Sequence, residues 1–235
     1  MKCGTTILYD YLCANPLING YPGKEAHYFS LEYETTSFSE YQSKFSSGED
    51  RVLCDASPTY FDCSLRMPAM ERIKAHLPNS IVIVLIRDPV ERALSHFNHM
   101  KNINKIDLLQ GVSPNDFFSR FDQVEDSIYT EYLIDAISFS FYCDKIVKLF
   151  NLFDPNRVVV FDNSLIANQA TDAMRLIYSR LGTDFYHSAV YGHRDYMSGT
   201  DLSCIDARLR NNLNNYFEVD YQKSIDLCTK ITKHA

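Results

Sequence analysis

No run of apolar residues in this 235-residue chain approaches the roughly 20 that a membrane-spanning helix needs. The opening lacks the apolar core of a signal peptide, because charged Lys2 and polar Gly4, Thr5 and Thr6 stand in its place. There is no internal repeat and no low-complexity stretch. The seven cysteines include no CxxC pair, their number is odd and their spacing irregular. Neither a disulfide framework nor a structural zinc site is therefore expected. The thiols read as reduced, mostly core-filling groups in a cytoplasmic protein. An excess of positive charge is missing too. The formal net charge of −7 argues against a general nucleic-acid binder and against a long polyanionic acceptor. It leaves room for an anionic cofactor held by a few local cations.

What is present suffices for a core. Hydrophobic residues make up 46% of the chain, and the length predicts a single domain, 1–235. A helix is expected from Thr5 to about Asn15, stopped before Pro16. Asn19 to Gly23 form a turn cluster, and Lys24 to Phe29 a short extended piece. A short helix is expected near Phe38–Phe45, a buried strand at Val52–Asp55, a loop from Ala56 to Phe61 and a helix from about Leu65.

Ile81 to Ile86 is a continuous aliphatic run. It predicts a strand buried on both faces, as in a parallel sheet. Asp88, Pro89 and Glu91 then spell a helix start, with Asp88 as N-cap, Pro89 at the first position and Glu91 completing a capping box. That helix is expected to reach Met100. Further helices are expected at Pro114–Phe121, Glu131–Phe153 and Ala170–Leu181, with a strand at Arg157–Phe161 and two helices between Leu202 and Lys233. Strands alternating with helices predict an α/β fold with a parallel sheet, whose ligands bind beyond the carboxyl ends of the strands.

The loop Lys2-Cys3-Gly4-Thr5-Thr6 runs straight into the apolar-periodic Ile7, Leu8 and Leu12. Small and hydroxyl residues opening a helix suit an anion. Glycine admits close approach, the first-turn N–H groups are free, and Lys2 adds a mobile cation. The P-loop of ATPases differs, since it places Lys after a second Gly that this loop lacks.

The pattern K-x-G-T-T-x-L instead resembles the 5′-phosphosulfate loop of sulfotransferases that use PAPS (3′-phosphoadenosine 5′-phosphosulfate). Three further segments agree with that family in order. Lys24-Glu25-Ala26-His27-Tyr28-Phe29 resembles the K-E-x-H-F-F segment of the heparan sulfate sulfotransferase-like branch. Cys54-Asp55-Ala56-Ser57-Pro58-Thr59-Tyr60-Phe61 resembles its E-K-S-P-x-Y-F stretch. Leu85 to Phe97, with Arg87-Asp88-Pro89-Val90-Glu91-Arg92-Ala93-Leu94-Ser95, resembles the 3′-phosphate motif.

The resemblance implies a P-loop-like α/β fold, a central parallel sheet flanked by helices. It also implies a buried strand ahead of the phosphate loop, which the numbered chain does not contain. By the same resemblance PAPS is the cofactor and PAP the product, with no metal. Lys2, Cys3, Gly4, Thr5 and Thr6 hold the phosphosulfate. Arg87 and Ser95 take the 3′-phosphate, and Arg194 is the nearest candidate for the loop closing over it.

Glu25 matches the family's catalytic base, Lys2 would stabilise the leaving group, and His27 would support or alternate with Glu25. In an extended segment positions 25 and 27 share one face. His96 and His99 read as helix-surface or packing residues. Tyr28, Phe29, Tyr60 and Phe61 either line an acceptor pocket or pack the core. The expected partner is a small-molecule or saccharide acceptor, a natural product before a glycan. A homodimer is allowed; nucleic acid and membrane are not expected. A contrasting reading is a family member that binds PAP without turnover. An ATP-dependent kinase is disfavoured by the position of Lys2 and the lack of a magnesium-carboxylate motif.

Overall fold

The aliphatic run forms strand β3, Val82–Ile86, paired in parallel with β4, Val158–Asp162, so that Val82 lies opposite Val158 and Ile86 opposite Asp162. The computed structural model describes residues 2–45, 51–61, 68–102, 106–123, 128–191 and 201–232. A second parallel pair joins β1, Ile18–Gly20, to β2, Val52–Cys54. β2 and β3 do not pair. Both border a slot of about 940 Å³, whose lining includes Val52, Leu53, Ile81 and Ile83. Val52 and Leu53 are consequently exposed, where the sequence predicts a buried strand.

Side chains alternate across β3 and β4 and both faces are covered, as a parallel pair requires. Leu85, Val159 and Phe161 meet Leu8 and Leu12 of α1 (Thr5–Cys13) and Met174 and Ile177 of α9 (Ala170–Leu181). Val84, Ile86, Val158 and Val160 meet Met70 of α3 (Ala69–His76), Ile146 and Leu149 of α7 (Cys143–Leu152), and Cys228 of α10 (Ala207–Thr232). A second, helical core joins α4 (Pro89–Asn102), α5 (Pro114–Phe118), α6 (Thr130–Ser138) and the first half of α10 around Phe97, Phe117 and Phe217. The short helices α2 (Phe38–Ser43) and α8 (Asn163–Asn168) complete the set. No helix among the described residues is long and apolar enough to cross a membrane.

Several expectations change. The predicted turn at Asn19-Gly20 is strand β1, because pairing with β2 supplies hydrogen bonds that the local sequence does not advertise. The predicted helix over Glu131–Phe153 breaks into α6 and α7. Ser140 accepts from Arg92 Nε at 2.7 Å and lies against the carbonyls of Pro89 and Ala136, while Asp220 accepts from the Tyr142 and Cys143 amides at 2.7 and 3.2 Å. A side chain from a distant helix thus caps a new start. The tail forms a single 3-10 turn at Leu202–Cys204 and one long helix, α10, where two helices were expected; no Gly or Pro interrupts 207–232.

Arg92 is fully buried and joins α4 to the end of α6 through Ser140 and the Ala136 carbonyl. Arg92→Ala would strand both acceptors and open a void. The expected loss is about 3 kcal/mol in urea denaturation, and an unchanged midpoint would show that the joint is not structural.

Candidate active site

The loop opening α1 lies at the carboxyl end of β3. Gly4 is its N-cap in the left-handed region (φ +88°), a conformation open to glycine, and no side chain caps the helix. The first-turn amides of Thr5 and Thr6 therefore have no intrahelical acceptor and no capping oxygen. Cys3 is buried against Tyr142, whose hydroxyl donates to the Arg87 carbonyl at 2.9 Å. Arg87 follows β3, and its Nη1 lies 3.4 Å from the Lys2 carbonyl. Burial lowers the Lys2 ammonium from its ordinary value, the Arg87 charge lowers it further, and the Glu25 carboxylate opposes both. Lys2, Arg87 and Glu25 are thus electrostatic neighbours, although far apart in sequence.

Arg87 is buried and its fork is engaged. Nε and Nη2 donate to Glu91 Oε2 at 3.1 and 2.8 Å. Asp88 caps α4 as expected, accepting from the Glu91 amide at 2.8 Å. The Glu91 carboxylate also turns to Arg87. Ser95 sits one turn beyond Glu91 on the same helical face, half-buried. Arg194, with Gly192 and His193, lies outside the described residues.

Lys24 to Phe29 is not extended. Lys24 (φ +77°) and His27 (φ +52°) are left-handed, and a single wide helical turn follows at Tyr28–Glu32. The turn 55–57 holds this shape. Ala56 N donates to Lys24 O at 3.0 Å, Ala26 N to Asp55 Oδ1 at 3.3 Å, and His27 N to Ser57 Oγ at 2.8 Å. Asp55 also accepts from the Ser57 hydroxyl at 2.6 Å, from Tyr60 at 2.6 Å and from Tyr41 at 3.3 Å.

Glu25 and His27 still meet, through the kink and not through a shared strand face. Glu25 Oε1 pairs with Lys24 Nζ, and Oε2 lies 3.3 Å from His27 Nε2. His27 Nδ1 is 2.8 Å from Thr59 Oγ1, itself 2.6 Å from Ser30 Oγ, which donates to the His27 carbonyl. One assignment satisfies all these contacts: Ser30 gives its proton to the carbonyl, Thr59 to Ser30, and Nδ1–H to Thr59. Nε2 is then aimed at Glu25, and the pair can share one proton.

Tyr28 and Phe29 are buried in an aromatic cluster with Tyr41 and Phe45, and Phe29 also lines the slot beside β2 and β3. Tyr60 spends its hydroxyl on Asp55, and Phe61 packs on the α3–α7 side. Two histidines go beyond the sequence expectation. His96 is buried with neither ring nitrogen partnered among the described residues, and burial together with the Arg92, His99 and Lys2 charges pushes its imidazole down to about 2. His99 is lowered by burial and by Lys2, and raised by Glu25. His99 thereby belongs to the Lys2–Glu25 neighbourhood. Its spacing from Ser95 was visible in the sequence, but nothing local linked it to residues 2 and 25.

Two expectations follow. Asp55→Asn retains size but cannot accept from both sides, so it should cost about 2 kcal/mol in thermal or urea unfolding; an unchanged stability would mean that Asp55 does not hold the two turns together. His96 is neutral when folded and titrates near its ordinary value of 6.5 when unfolded. The unfolded chain therefore gains the proton first as pH falls. This contribution is complete above about pH 6.5 and declines below it, by about 2 kcal/mol at pH 5. Denaturation midpoints at pH 7 and 5 should converge in His96→Met relative to the wild-type chain, and equal slopes in the two proteins would contradict a buried neutral imidazole.

The chain matches the Sulfotransferase family over residues 15–187, a span that holds Glu25, His27, Arg87 and Ser95 and begins after the Lys2 loop. It is 35% identical over 104 residues to the membrane-associated sulfotransferase kil1 of Dictyostelium discoideum, covering 42% of this chain and 21% of that protein. This chain thus aligns with about a fifth of that relative's length. The fold matches the crystal structure of a sulfotransferase from Alicyclobacillus acidocaldarius with a TM-score of 0.73, at 20% identity, over 97% of this chain and 92% of the other. With parallel strands, an anion-ready helix start and a carboxylate–histidine pair meeting at one sheet edge, this chain belongs to the sulfotransferase family.

Proposed function

We propose that the chain uses PAPS to sulfate a hydroxyl of a small-molecule acceptor, with Glu25 as general base. The observation that carries this reading is the electrostatic convergence of Lys2, Arg87 and Glu25 at the carboxyl edge of β3. The donor set suits the cofactor: uncapped helical amides and an ammonium at one end, and a planar guanidinium at the other. PAPS, when bound, supplies the sulfuryl group.

Lys2 and the amides of Cys3, Gly4, Thr5 and Thr6 would hold the phosphosulfate end, where the Lys2 ammonium would offset the negative charge of the leaving group. Arg87 takes the 3′-phosphate, oriented by Glu91, with Ser95 adding a hydroxyl one turn further on. Glu25 accepts the acceptor's proton at Oε2, and His27 Nε2 shares it. Lys24 holds the other carboxylate oxygen in place.

The heparan-like motifs support a glycan acceptor, but the net charge of −7 favours a small neutral or cationic one. Turnover of heparan-type oligosaccharides in preference to low-mass alcohols and phenols would reverse that choice.

Calorimetric titration with PAP, ATP and AMP tests the cofactor. PAP should bind far more tightly than AMP, and Arg87→Ala should weaken PAP by roughly 10- to 100-fold while leaving AMP little changed. Glu25→Gln should retain PAP and lose about 10²- to 10⁴-fold in turnover. A folded protein that ignores PAP sinks the reading. Tight PAP binding with no turnover of any acceptor would favour a PAP-binding role without catalysis.

A further inference from the structure

Two thiols from distant parts of the chain meet beside the site without taking part in it. Cys13 is the last residue of α1, the helix that opens with the Lys2 loop, and Cys54 is the last residue of β2, directly ahead of Asp55. In the parallel ladder Gly20 is the register partner of Cys54, so both positions face the same side of the sheet. α1 covers that side. Gly20 is where the room comes from: a Cβ there would stand 2.6 Å from Cys13 Sγ and 2.1 Å from the Tyr9 hydroxyl oxygen. The Cys13 sulfur therefore rests over a residue without a side chain, next to the Cys54 side chain, and the two thiols share a hydrogen bond. Both are free. Tyr9 closes the far side, its hydroxyl donating to the Tyr21 carbonyl at 2.7 Å.

We propose that Cys13 and Cys54 form an oxidisable pair, closing to a disulfide when the protein meets a peroxide. The two sulfurs are unequal. The hydrogen bond from Cys54 holds the Cys13 thiol down to about 7 despite its burial, whereas that same hydrogen bond and its own burial push Cys54 well up. Cys13 is thus the attacking thiolate and Cys54 the resolving thiol.

In the first step the Cys13 thiolate attacks one peroxide oxygen. The O–O bond breaks, the departing hydroxide takes a proton to become water, and Cys13 is left as a sulfenic acid. In the second step Cys54 sulfur attacks Cys13 sulfur, the S–O bond breaks, and the hydroxyl leaves with the Cys54 proton as a second water. Two thiols lose two electrons and two protons, and one hydrogen peroxide becomes two waters. A dithiol reductant reverses the change. The segment closed by the bond runs from 13 to 54 and contains Glu25, His27 and the aromatic cluster. Oxidation therefore staples the phosphate-loop helix to the strand leading into the Asp55 turn.

The test is peptide mapping of the purified chain after hydrogen peroxide, with remaining thiols alkylated and no reduction before digestion. The expected product is a peptide pair joined through Cys13 and Cys54, on a chain that stays monomeric on a non-reducing gel and loses the link with dithiothreitol. The oxidised protein should also melt at a higher temperature than the reduced one. Cys54→Ser should leave Cys13 as a sulfenic acid trapped by dimedone, a product absent from the wild-type chain. If the wild-type chain, still folded by circular dichroism, yields Cys13 and Cys54 separately alkylated or separately oxidised, or joined only between two chains, the proposal is overturned.

Discussion

One carboxylate, Asp55, ties together the parts on which the site depends. Its oxygens receive the Ala26 amide, the Ser57 amide and hydroxyl, and the Tyr60 and Tyr41 hydroxyls. Lys24 and His27 occupy left-handed backbone positions that cost an ordinary residue on the order of 1 kcal/mol each. They persist because the 55–57 turn bonds to both ends of the kink. The kink in turn brings Glu25 and His27 together and buries Tyr28 and Phe29 beneath them. A free chain would satisfy Asp55 with water; here its acceptors are spent on the shape of the site.

The electrostatics follow from that shape. A chain with a surplus of acids still builds a cationic locus here, because the Lys2 carbonyl meets Arg87 and the helix behind Lys2 presents uncapped amides. Two nearby imidazoles are lowered by burial, so they add no charge to the cations of this edge, among them Lys2, Arg87 and the Glu25-paired Lys24. Lys2 holds its proton less firmly than an exposed lysine, so an arriving anion would restore what burial removes. Glu91 keeps the Arg87 fork oriented without leaving a buried charge unpaired.

The parts legible in the sequence are those with local causes. The aliphatic run of β3 is continuous because both faces are covered, and the Asp88 cap declares itself by residue type. Gly4 and its threonines mark a helix start, since the left-handed N-cap is a local requirement. The misread parts have distant causes. Asp220 caps α7 from α10, Ser140 is held by Arg92, and β1 exists only because Val52 to Cys54 lie beside it. The kink at 24–27 reads as extended until the 55–57 turn bonds to it.

By itself, then, the sequence determined the chemical inventory and the elements that carry it: a loop suited to an anion, a Glu and a His two residues apart, and an Arg at the end of a buried strand. Those are consequences of residue type and short-range spacing. Tertiary structure alone decided that Lys2, Glu25, Arg87 and His99 share one neighbourhood, that Tyr28 is core while Phe29 is both core and cavity lining, and that Cys13 meets Cys54 over Gly20. Each of these depends on strand register and helix packing between segments far apart in the chain, where hydrogen-bond geometry and burial, not local propensity, select the contact.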